Sequence, residues 1–138
     1  MKNFFMVLFI GLSGCSFVEK DNIEEVKLQA GADYLLQEAS EAMAQGNLKQ
    51  AEWKLERALR LNPRHGEIYF FLATLRMQQN SPEDAVEFAS KGLRFASNNL
   101  DLQYRLWVIS AVALQRLGDE EKSSQARIRA QRARQQSP

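Results

Sequence analysis

At 138 residues the chain has room for one domain, which excludes a multidomain assembly. Hydrophobic content of 45% and charged content of 25% are ordinary for a folded globular chain, and a formal net charge of +1 gives no bulk attraction to nucleic acid. The charge is unevenly spread. From Glu19 to Glu41 there are seven acids against two lysines, and from Arg127 onward there are four arginines and no acid. Such asymmetry is expected of two differently charged ends of a helical stack.

In chain order, Lys2 and the amino terminus form a short positive region, and Phe4 to Leu12 a nine-residue apolar run. That run is about half of the ~20 residues needed to span a bilayer as a helix, so residues 1–14 read as a signal peptide. Leu12-Ser13-Gly14-Cys15 resembles the lipobox of bacterial lipoproteins. The resemblance implies a covalent lipid on the thiol of Cys15, cleavage before it and acylation of the new amino group. One acyl chain anchors marginally and two anchor stably. With Ser16 rather than Asp after the cysteine, the similarity to sorted Gram-negative lipoproteins implies the periplasmic face of the outer membrane. The lipidated N-terminus and a short polar linker are expected over 15–27. A linker from residue 16 to about 24 reaches at most ~30 Å at ~3.3 Å per residue.

Beyond the linker the chain repeats itself. QGNLKQAEWKLERALRLNPRH (45–65) places Ala51, Leu55, Ala58 and Leu59 on one helical face before Pro63. QNSPEDAVEFASKGLRFASNN (79–99) places Ala85, Ala89, Gly92 and Leu93 in the same register 34 residues later. This period and pattern resemble the tetratricopeptide repeat, a helix-turn-helix unit. The units run 32–65 and 66–99, with a third offset by four residues at 104–137, one added helical turn. The resemblance implies an all-α fold, a right-handed stack of about three helical hairpins over 28–136.

Helix punctuation agrees. Gly46 and Gly118 suit a left-handed position after a helix, and Ser81-Pro82 reads as N-cap and first residue, followed by Glu83 and Asp84 at the positive end of the dipole. Asn62-Pro63 stops a helix. Six helices are expected, near 24–45, 48–61, 66–79, 82–96, 100–117 and 119–134. The repeats are degenerate: Ala42 and Arg76 replace a large residue, Ser97 replaces proline and Ser123 replaces alanine. The last helix is rich in Arg and Gln, as a solubilising cap is.

No catalytic constellation is visible. His65 is the single histidine, and no carboxylate lies at a telling spacing from it. It reads as a loop residue that helps start the next helix. No phosphate loop, zinc-ligand cluster or nucleophile elbow occurs, so neither enzymatic activity, a metal nor a cofactor other than the lipid on Cys15 is expected.

What remains is protein binding. In tetratricopeptide arrays the first helix of each unit lines a concave groove. Carried over by position, the resemblance implies Asp33, Leu36, Ser40, Met43 and Ala44 in the first unit. In the second it implies Glu67, Phe70, Thr74, Met77 and Gln78, and in the third Arg105, Val108, Val112, Gln115 and Arg116. The groove is expected to be apolar at Phe70, Met77 and Val108 and basic at Arg105 and Arg116. Two further candidates stand apart. Trp53 lies where the second unit has Glu87, so it either faces solvent as a candidate anchor or lies flat against a neighbouring helix such as the N-terminal one. Arg76 replaces an interior aromatic, either snorkelling to the groove rim or pairing with Glu67 or Glu41.

LERALRLNP, IYFFLATLRMQQ and LWVISAVALQRLGD on a lipoprotein of this size resemble the outer-membrane lipoprotein activators of class A penicillin-binding proteins. The resemblance implies a module that contacts a bifunctional peptidoglycan synthase in the periplasm and stimulates it, held to the membrane by its lipid, with no nucleic-acid partner. Two alternatives stay open: a pilotin-like assembly factor for a secretin, and a scaffold for peptidoglycan hydrolases.

Overall fold

The computed structural model describes residues 17–137; the stretch expected to be a signal peptide and Cys15 lie outside them. Six helices follow one another: α1 (Phe17–Ala44), α2 (Leu48–Leu61), α3 (Gly66–Gln78), α4 (Pro82–Arg94), α5 (Leu100–Arg116) and α6 (Glu120–Gln136). They pair as hairpins α1–α2, α3–α4 and α5–α6, and the hairpins stack in chain order. No strand occurs among the described residues.

Five helices begin and end within two residues of the sequence expectation. The exception is α1, which starts at Phe17 rather than near 24. The stretch read as a linker contains no Gly or Pro before Gly31, so nothing in it interrupts the backbone ladder.

The turns explain why the hairpins close. Gly46 (φ 75°) and Gly118 (φ 77°) adopt the left-handed conformation that side chains resist. Between α3 and α4 the same task falls to Asn80 at φ 59°. Asn47, Asn99 and Asp119 cap α2, α5 and α6, each accepting a backbone N–H with its side chain. Ser81 stands at the N-cap of α4 as expected, yet its side chain makes no capping bond. His65 stands at the N-cap of α3, but instead of capping, its Nε2 lies 2.8 Å from Asp33 Oδ1 on α1. This contact spans 32 residues and has no local spacing signature.

Small residues hold the helices close and large ones fill the gaps. Ala51, Leu55 and Ala58 of α2 are fully buried in a cluster with Ala32, Leu35 and Ala39 of α1 and Ile68, Leu72 and Leu75 of α3. A second cluster joins Ala73, Ala89 and Ala96 to Leu102 and Leu106 of α5. Burying one such leucine stabilises the fold by about 1.5–3 kcal/mol. Ser123, the departure from alanine, is fully buried and donates its hydroxyl to the Ala111 carbonyl at 3.0 Å. A small residue with a satisfied hydroxyl fits where alanine packs.

Candidate functional site

The outer surfaces of α3 and α5 form a groove of about 360 Å³. Phe70, Val108, Ile109 and Val112 supply its apolar floor, with Thr74, Met77, Tyr104, Arg105 and Arg116 around it. Seven residues singled out by repeat position thus meet in one depression: Phe70, Thr74, Met77, Arg105, Val108, Val112 and Arg116. They meet because α3 and α5 are the first helices of successive hairpins, so the same helical face of each turns to the same side of the stack.

Leu36 and Met43 do not join them. Only 5% and 7% exposed, they belong to the core cluster with Ile68, Leu72 and Leu75 of the next hairpin. The expectation for these two is corrected: α3 covers them. The three positions Leu36, Phe70 and Val108 show a gradient, from buried through half-buried to 38% exposed, as the stack approaches its last hairpin.

The electrostatics also differ from the simple reading. Arg105 is not a free cation at the rim. Glu67 accepts two hydrogen bonds from its guanidinium, at 2.6 and 2.7 Å, and Asp101 places another carboxylate oxygen 3.0 Å from Nε. The Glu67 hydrogen bonds, opposed by partial burial, raise the Arg105 pKa above its ordinary value. Its guanidinium also sits 4.6 Å from the centre of the Phe70 ring, so the pair clamps the groove's aromatic floor. Arg116 is exposed and donates to the Met77 carbonyl at 3.3 Å, bridging α5 to α3 at the other end.

Arg76 pairs with neither Glu67 nor Glu41. Its Nη1 lies 2.7 Å from Glu52 on α2, with Asp84 3.9 Å from Nε and Phe88 under the guanidinium. It therefore ties α2, α3 and α4 together, away from the groove. Trp53 is 52% exposed on α2, and the Arg57 guanidinium lies over its ring at 4.7 Å.

Sequence reasoning missed Tyr104 and Ile109. Tyr104 falls at the first position of the third unit, and only the packing of α6 shows that it borders two depressions. The second, also about 360 Å³, lies between α5 and α6 and shares Tyr104, Val108 and Val112 with the groove. The described residues hold no cluster of metal-ligating side chains and no helix long and apolar enough to cross a membrane.

A stack of three helix-turn-helix units presenting a groove of this kind is a tetratricopeptide protein-interaction module. The tetratricopeptide repeat family profile matches residues 36–99. Among solved structures, the globular C-terminal domain of P. aeruginosa LpoP superimposes with a TM-score of 0.70 and 32% identity, covering 73% of this chain and 95% of that one. The chain belongs to the LpoP-type family of tetratricopeptide proteins. No curated protein sequence matches it.

Proposed function

We propose that this protein is a lipid-anchored outer-membrane module that activates a bifunctional peptidoglycan synthase, a class A penicillin-binding protein, by direct contact through the α3–α5 groove. The likeness to the LpoP domain supports the family reading. The observation that carries the groove assignment is the apolar floor: Val108 and Val112 are 38% and 43% exposed beside Phe70, in one depression. Exposed contiguous apolar surface of this kind marks a protein-binding site.

The mechanism is a population shift. The module raises activity only so far as it binds the active conformation of the synthase more tightly than the idle one. Phe70, held by Arg105, offers a rigid aromatic anchor, whereas Met77 offers an adaptable edge. The overhang of α1 bears on reach. Residues 17–28 as a helix rise only about 18 Å, at ~1.5 Å per residue. With Cys15 as the anchor, the synthase meets the stack close to the membrane.

The test is glycan polymerisation by the purified cognate synthase with and without this protein. Stimulation is expected, with loss of it for Val108→Asp combined with Val112→Asp and retention for Trp53→Ala. Rates unmoved by the unaltered protein sink the activator reading; equal stimulation by the double variant sinks the groove.

A further inference from the structure

The two ends of the stack carry complementary, unfilled surfaces. At the C-terminal end, the depression between α5 and α6 occupies the same repeat positions as the seat that α3 and α4 provide for α5. Shifting by the 34-residue period plus the four-residue offset carries Phe70 to Val108, Ala73 to Ala111, Thr74 to Val112 and Gly92 to Ala130. All four destinations line the depression. In the second unit this seat is full: Leu102 and Leu106 of α5 are buried against Ala73, Ala89 and Ala96. The fit there is so close that a Cβ on Gly66 or Gly92 would lie 2.9 Å or 2.8 Å from Leu102 or Leu106. With Tyr104 and Ala130 at those two positions, the third unit's seat is shallower. In the third unit no helix among the described residues lies in the seat. Its shape therefore asks for a helix, with aliphatic side chains spaced three or four apart.

Its charge says which helix. The same shift carries Ala89 to Arg127 and Ala96 to Arg134, so two exposed arginines border a seat that is uncharged one unit earlier. At the opposite end, α1 is 28 residues long and its partner α2 only 14. Contacts with α2 and the loop after it begin at Gln29, which accepts from Asn62, and at Gly31, which faces Leu61. Before that, α1 projects beyond the stack. There Ile23, Val26 and Leu28 are 52%, 62% and 40% exposed, with Glu24 and Glu25 exposed beside them. Ile23, Val26 and Ala30 follow the spacing of one helical face.

We infer that the overhang of one copy occupies the C-terminal seat of a second copy, so that the protein associates head to tail. Ile23 and Val26 lie against the apolar lining of Val108, Ala111 and Val112, and Glu24 and Glu25 face Arg127 and Arg134. The contact is heterologous: a row of any length keeps one free overhang at one end and one free seat at the other, so association continues past the dimer. It does not depend on the synthase reading.

Sedimentation velocity of the purified protein over a rising concentration series tests this. The weight-average mass is expected to climb from monomer past dimer. Ile23→Asp with Val26→Asp, and separately Arg127→Glu with Arg134→Glu, are each expected to remain monomeric. These residues are exposed, and unchanged circular dichroism verifies the fold. An equimolar mixture of the two variants joins an intact overhang to an intact seat, and is expected to stop at a one-to-one dimer. A chain that is monomeric throughout, association that survives either variant, or a mixture that stays monomeric overturns the inference.

Discussion

Position for position, the first hairpin and the third are the same unit, yet they have opposite surfaces. Leu36 in α1 is 5% exposed and Val108 in α5 is 38% exposed, although both stand at the same point of the repeat. The difference is a neighbour. α3 lies over the first hairpin and turns its groove position into core, whereas no described helix lies over the third. In a stacked repeat, whether a residue stabilises or binds is set by which unit it occupies as much as by its type.

Four substitutions measure that contrast. The largest effect is expected for Leu36→Ala, about 2–5 kcal/mol of lost stability in denaturant unfolding, as for any buried leucine. Val108→Ala is expected to cost well under half as much; equal losses would mean that the third hairpin is covered in solution. Next comes Ser123→Ala, which removes the hydroxyl bond to the Ala111 carbonyl while keeping the small volume. A loss of about 1 kcal/mol is expected, and a gain would show that packing alone sets this position. Trp53→Ala, on the exposed face of the first pair, is expected to cost less than about 1 kcal/mol, the scale of an exposed cation–π contact with Arg57. A larger loss would place Trp53 in the fold rather than on the surface.

The smallest effect concerns pH. Hydrogen bonding from Lys54, at 2.7 Å, holds the Glu38 carboxyl below its ordinary 4.5. A carboxylate with a depressed folded-state pKa contributes stability that is fully present above its unfolded value. That contribution disappears as the pH falls through the folded value. Lys54→Met keeps the buried stem and removes this contribution. Unfolding midpoints followed from neutral pH to below 4.5 are expected to fall less steeply for the variant than for the parent. Identical slopes would mean that the pair, half-buried on the Glu38 side, is screened out.

Much of this architecture is legible along the chain. The spacing of Ala51, Leu55 and Ala58 and its return at Ala85, Ala89 and Gly92 is a local periodicity, and Gly46 and Gly118 are local backbone requirements. Both are properties of a few consecutive residues, so hairpin number, register and turns can be read without coordinates. The same holds for which residues of α3 and α5 share a face, and hence for most of the groove.

Only the tertiary structure decided the rest. That Glu67 bonds Arg105 while Glu52 bonds Arg76, that Leu36 and Met43 are covered, and that the seat on α5 and α6 stands open where the one before it is filled by α5 are facts about neighbours in space. Charge pairing and burial depend on which helix comes to lie across another, and nothing local in the residues themselves records that. The helical overhang of α1 belongs with them: its polar sequence permits a helix, but which of its faces goes uncovered is set by where α2 ends.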